Sequence, residues 1–253
     1  MKKILIYSDK GASFRCVKAL LRSLRQEDLE KRYSISLISH QEVTGVGLQN
    51  AALLIFPGGR DIPYSQALQG SGNNEIKKYV QKGGRYLGIC AGAYYGCGQV
   101  EFEKGTDLEV MEKRELNFFP GIAKGALYET GSFCYKTEKG ARISTLSLSP
   151  SQKKLASYYN GGCTFLEVEK HEGVHPLAFY DDLEGKPPAI IECSLGDGKA
   201  VLCGVHPEFS ALHLQSKDPY LTALLPALKD IETQRKSLFR LILNRLGCVS
   251  NLS

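Results

Sequence analysis

Tryptophan, C-x-x-C pairs and long apolar runs are all missing from this 253-residue chain. Without C-x-x-C spacing, zinc-ribbon and thioredoxin-type chemistry have no footing. Without a run near the length of a membrane span, no membrane role is expected. The start, MKKILIYSDKG, offers only four apolar residues before Ser8 and Asp9. That is too short for the apolar part of a secretory signal. The cysteines are Cys16, Cys90, Cys97, Cys134, Cys163, Cys193, Cys203 and Cys248. They read as reduced, mostly buried thiols of a cytoplasmic protein. A basic stripe is absent too. The net charge is only +5, and lysines and arginines interleave with acids, as in QEDLEKR. Nucleic acid is therefore not expected as a partner. The Gly-Lys of SLGDGKA lacks the G-x-x-x-x-G-K spacing of a phosphate loop. No repeat, low-complexity tract or linker appears, so residues 1–253 read as one domain with a helical tail over 220–253.

What is present first is an alternation of strands and helices. Lys2–Ser8, Tyr33–Ser39, Ala51–Pro57 and Arg85–Cys90 read as strands. Ser13 can cap a helix with Val17, Leu20, Leu21 and Leu24 on its buried face, and Asn73 or Asn74 can cap another that stops at Gly83–Gly84. Continuous apolar strands separated by helices argue for a parallel sheet covered on both faces. From about Thr106 to His206 the chain is β-rich, through TDLEVM, ISTLSLS, TFLEVE, PLAFYD, AIIECS and AVLCGV. Gly196-Asp197-Gly198 reads as a hairpin turn between the last two. The tail reads as helical, broken at Pro226, with Leu238, Phe239, Leu241, Ile242 and Leu246 as its buried face. The fold class is α/β, a parallel-sheet three-layer sandwich with an added β-rich portion.

Three short stretches carry chemistry. Gly88-Ile89-Cys90-Ala91-Gly92 is G-x-C-x-G at a strand end, the spacing of a nucleophile elbow. The glycines leave room for a sharp strand-to-helix turn. A thiol there sits at a helix start, which favours thiolate, and Ala91 N–H is placed to hold an oxyanion. The plainer alternative is a tight turn with an inert cysteine. The second stretch, His206-Pro207-Glu208, follows an apolar strand. It supplies a base and a carboxylate to orient it. The third is Pro57-Gly58-Gly59-Arg60-Asp61, also at a strand end. Gly58 or Gly59 can complete the oxyanion hole, while Arg60 and Asp61 either contact substrate or cap the next turn. Tyr94 and Tyr95 either line the pocket or belong to the core, and Asn160, Gly161 and Gly162 offer a further pocket wall.

With these residues in view the chain resembles the class I glutamine amidotransferases. In those a strand-end P-G-G loop, a G-x-C-x-G elbow and a later H-x-E form the site, over a flavodoxin-like fold. The resemblance spans roughly residues 2–209. A narrower likeness, carried by PGGRDIPY, GGRYLGICAGAYYGC and YYNGG, is to the amidotransferase-like amino-terminal domain of eukaryotic-type biotin–protein ligases, which also exists free-standing. It implies a biotin-related or regulatory role. The ligase's own catalytic G-R-G-R-type loop and K-W-P-N-D-like segment are not found, so biotinylation is not expected of this chain alone. The expected chemistry is thioester formation on Cys90 with His206 and Glu208, using a small amide or acyl substrate and no metal or organic cofactor. A separate ligase or synthetase subunit is a candidate partner. Two other readings stand beside it: a ligand-binding or regulatory module acting with such a partner, and a hydrolase of peptides or γ-glutamyl compounds.

Overall fold

A computed structural model describes residues 1–214 and 217–249. The predicted strands appear as β1 (Lys3–Tyr7), β2 (Ser34–Ile38), β3 (Ala51–Phe56) and β4 (Arg85–Ile89). The helices of this half are α1 (Phe14–Gln26), α2 (His40–Thr44), α3 (Asp61–Leu68), α4 (Ser71–Gln81) and α5 (Ala91–Tyr95). The second half adds β5 (Cys97–Phe102), β6 (Val110–Lys113), β7 (Phe119–Gly125), β8 (Arg142–Leu148), β9 (Lys154–Tyr159), β10 (Thr164–Phe165), β11 (Val174–Tyr180), β12 (Pro188–Leu195) and β13 (Gly198–Cys203). It closes with α6 (Pro219–Asp230) and α7 (Glu232–Arg245).

The β-rich half does not form a separate layer of its own. Most of it extends the first sheet, in the order β2-β1-β3-β4-β13-β12-β11-β8-β9. From β2 to β13 neighbouring strands are parallel, and from β13 to β9 they are antiparallel. The predicted hairpin at Gly196–Asp197 makes this switch, with Leu195 opposite Gly198. A smaller sheet, β10-β7-β5-β6, packs on one face.

Period-two alternation divides the core. Ile4, Ile6, Leu53, Ile55, Leu87 and Ile89 meet α1 and α7 on one face. Leu5, Tyr7, Leu54, Phe56 and Tyr86 meet α3, α4 and the small sheet on the other. Both faces are covered, which is why these strands read as continuous apolar runs.

Five local expectations change. TDLEVM is mostly turn and becomes strand only from Val110. Neither Asn73 nor Asn74 caps α4, because Gly70 holds that position. Asn73 is fully buried, with its Nδ2 donating to Glu115 Oε2 at 2.7 Å. TFLEVE is a strand only at Thr164–Phe165, since Glu167 adopts φ +54° and turns the chain away. On α7, Leu243 is buried and Leu241 only half-buried. The tail breaks at Ile231, not at Pro226, which lies inside α6. Asp218 caps that helix and Pro219 opens it, so the helix is nucleated upstream and continues past the missing N–H. The end of the expected tail, 250–253, lies outside the described residues. Pro226→Ala should restore a ladder bond and raise the stability of the protein by about 1–3 kcal/mol, read as a higher urea midpoint at unchanged slope.

Candidate active site

The carboxyl ends of β1, β3, β4 and β13 point the same way, and the chain leaves each of them into one cleft. Gly11 follows β1, Gly59 follows β3, Cys90 follows β4 and His206 follows β13; all four line it. The strand order reverses between β1 and β3, so the cleft opens at a topological switch point. Its volume is about 350 Å³.

Cys90 sits at φ +50°, ψ −107°, outside the regions open to an unstrained L-residue. Its N–H bonds Cys203 O at 2.8 Å, and Gly92 N–H bonds Pro57 O at 3.2 Å, so the turn is clamped between β13 and the loop after β3. The flanking glycines have a steric cause. A Cβ on Gly88 would lie 2.3 Å from Gly92 O, and one on Gly92 would lie 2.1 Å from Phe56 O. The helix that follows, α5, is only five residues long, which limits its dipole. Ala93 N–H turns back to Cys90 O, and Ala91 N–H has no backbone partner among the described residues. The thiol Sγ lies 3.7 Å from Asn160 O and 3.8 Å from Gly161 O.

His206 and Glu208 form a buried pair, with Nδ1 and Oε1 2.8 Å apart. Burial pushes the imidazole down, but the Glu208 carboxylate and Cys90 beside it push it further up, and the result is well above the ordinary histidine value. The carboxylate and the sulfur therefore favour the protonated ring. Three groups fix the turn that carries it. His206 N–H bonds Tyr158 O at 2.8 Å, Ser23 Oγ donates to Glu208 O at 2.8 Å, and Arg235 of α7 donates to Pro207 O. Arg235 is itself buried and paired with Glu232 at 2.7 Å. Ser23 and Arg235 come from remote helices with no local motif, so sequence spacing could not flag them.

Gly58 touches the imidazole. A Cβ there would lie 2.7 Å from His206 Cε1 and 2.9 Å from Cys16 Sγ. Gly59, at φ +151°, packs on the loop after β1, where a Cβ would meet Gly11 O at 2.1 Å. Cys16, His206 and Glu208 place one donor atom each within 4.8 Å of one another. Burial pushes the Cys16 thiol up to about 12, so it would surrender its proton to a metal reluctantly.

The remaining candidates divide. Asp61 opens α3 and is held by the buried Arg114, whose Nε and Nη2 both lie 2.8 Å from Oδ2. Burial raises its pKa against that pull. It borders a small hollow beside Cys90 and Ala91. Arg60 is exposed at the cleft mouth, its guanidinium 4.9 Å from the Tyr135 ring centre. Tyr94 donates to Gly162 O at 3.0 Å and supports the wall that Gly161 continues. Tyr95 is core, bonded to Asn73. Asn160 Nδ2 donates to Glu138 Oε2 at 2.8 Å. Gly162 lets two chain segments meet, since a Cβ would lie 1.6 Å from Gly204 O. Glu138 also accepts from Arg15 and Tyr158, which pins the segment bearing Phe133, Cys134 and Tyr135 over the cleft. That segment carries no sequence signal of a site.

The architecture is that of the class I glutamine amidotransferase-like α/β proteins. PurLQS from Thermotoga maritima superposes with a TM-score of 0.59 at 16% identity, over 97% of this chain and all of that one. The chain belongs to the family described as "Biotin-protein ligase, N terminal", whose pattern matches residues 2–252. It is 36% identical over 219 residues to the biotin–protein ligase of Schizosaccharomyces pombe, covering 82% of this chain and 33% of the ligase. An uncharacterized protein of Chlamydia muridarum is 38% identical over 218 residues, covering 84% of each chain. Among the described residues no helix is long and apolar enough to cross a membrane.

Proposed function

We propose that this protein is a cysteine-dependent amidohydrolase or acyl-transfer enzyme, and the observation that carries the reading is the strained Cys90 turn facing the His206–Glu208 pair across one cleft. The sulfur adds to the carbonyl carbon of a small amide. The oxyanion rests on Ala91 N–H, joined by an N–H of Gly58 or Gly59. The carbon–nitrogen bond breaks as the imidazolium gives its proton to the leaving amine. A thioester on Cys90 remains. Water, losing a proton to the now neutral imidazole, attacks it and releases the carboxylic acid and the Cys90 thiolate, which again faces the imidazolium. Glu208 holds the imidazole throughout. The eight thiols suit the reducing cytoplasm as the place of action.

The second reading is a ligand-binding or regulatory module that acts with a partner such as a biotin ligase. It is favoured by one observation, that the related ligase contains this region within a chain about three times as long. A panel of small primary amides, assayed for ammonia release with and without a biotin ligase, separates the two. The expected result is release by the wild type that is lost in Cys90→Ala and in His206→Ala. Release that survives Cys90→Ala removes the thiol from the chemistry.

A further inference from the structure

The charges in the cleft nearly cancel, and one is left over. Glu138 is taken by Arg15, Tyr158 and Asn160. Glu208 is taken by His206. Asp61, at the small hollow, is taken by two nitrogens of Arg114. Arg60 pairs with no acid among the described residues, and it rests on the face of Tyr135 at the mouth, a cation–π seat that holds it over the opening. Phe133, edge-on to the same Tyr135 ring at 4.8 Å, continues the wall beside it and carries no charge, while the Phe209 ring is covered by Arg15, the cation already paired with Glu138.

We infer that Arg60 binds a carboxylate on the far end of the substrate, and that the substrate is a net-anionic amide, such as the monoamide of a dicarboxylic acid, in preference to a zwitterionic amino acid. The ground is the same charge balance. A free cation stands ready for an anion, but each acid of the cleft already holds cations or donors, so an ammonium group would have to displace one of them. Arg60 thus sets specificity through binding and takes no part in bond making. This inference rests on Cys90 being the reacting thiol.

The test uses two bromoacetyl probes of nearly equal size, N-bromoacetylglycine and its neutral primary amide. Each forms a carbon–sulfur bond to Cys90 and expels bromide. Rates are read on the Cys90 peptide by mass spectrometry, which sets aside labelling of the half-exposed Cys134, and are normalised to glutathione. In the wild type the anionic probe should be favoured by about fivefold or more at low salt, the scale of one unscreened charge pair about 4 Å apart in water. The preference should shrink in 1 M NaCl. It should vanish in Arg60→Gln, persist in Arg60→Lys, and be unchanged in Lys18→Gln on the outer face of α1. Glutaramate should also protect Cys90 at lower concentration than glutamine.

A wild-type preference that survives Arg60→Gln overturns the role of Arg60. Equal rates for both probes, or better protection by glutamine, overturn the anionic substrate class while leaving the thiol chemistry standing. Failure of either probe to label Cys90 in the folded protein overturns the reading beneath and this inference with it.

Discussion

Glu208→Gln should collapse the raised pKa of His206 and cut acylation of Cys90 by about 10³–10⁴-fold, the scale of loss when a triad carboxylate is converted to its amide. Burial is the largest influence on this imidazole, and it acts against protonation. The carboxylate at 2.8 Å and the neighbouring Cys90 outweigh it. Removing the carboxylate's charge leaves Cys90 alone to oppose burial, so the pKa of the ring should fall. The C2–H resonance of His206, assigned by its loss in His206→Ala, follows this directly. In the wild type it should titrate well above 6.5, the ordinary value, and in the variant at a clearly lower pH than in the wild type.

The same shift fixes the sign of a stability effect. A histidine whose folded pKa exceeds its unfolded pKa stabilises the fold fully below the unfolded value. That contribution fades as pH rises through the folded value. The wild type should therefore lead Glu208→Gln most at pH 6 and lose that lead progressively above 6.5. Part of the difference should remain at every pH. Oε2 of Glu208 is buried without a partner, so the amide would place a donor there unsatisfied, at a cost of about 1–3 kcal/mol.

Gly58→Ala is expected to leave the protein folded and nearly silence it. The new methyl would stand 2.7 Å from His206 Cε1 and 2.9 Å from Cys16 Sγ, below any ordinary contact. Neither neighbour yields easily. The imidazole is held by Glu208, the backbone that carries it donates to Tyr158 O, and Cys16 is buried in α1. Overpacking of this kind costs about 1–3 kcal/mol. The larger effect is on chemistry, because a displacement near 1 Å of a reacting group costs about 10²-fold or more in rate. The backbone at Gly58 is not left-handed, so the loss comes from contact and not from strain. Cys16→Ala in the same chain removes one of the two collisions and should recover part of the rate. Recovery of none would locate the damage at the imidazole alone.

Much of the fold was legible because strands buried on both faces announce themselves. β1 and β3 are apolar runs from Ile4 and Ala51, ended by Ser8 and Pro57, and β4 carries the same pattern up to the Cys90 turn. The pairing of β13 with β4 was not legible, although it brings His206 to the same edge of the sheet as Cys90. It depends on a contact between segments more than 100 residues apart in the chain, which no local pattern records. Helix α2 was not anticipated, although Ser39 and Glu42 form the S-x-x-E capping box that starts it. Cys90 and the H-P-E segment stood out because glycine spacing and proline have local steric meaning. Ser23, Arg235, Cys16 and Glu138 did not, because each reaches the site from another element through an ordinary-looking position. Asn73 shows the reverse case. Its local preference for a cap was overridden by tertiary partners, Glu115 and Tyr95.

The most direct measurement is a burst titration with p-nitrophenyl acetate, an activated ester that needs no specific pocket. Acid quenching and peptide mapping then locate the acetyl group. The expected result is a burst approaching one p-nitrophenolate per chain, with a thioester on the Cys90 peptide that is absent in Cys90→Ala and strongly slowed in His206→Ala. An acetyl group found only on Cys134 or on surface lysines, with Cys90 unmodified, would contradict it.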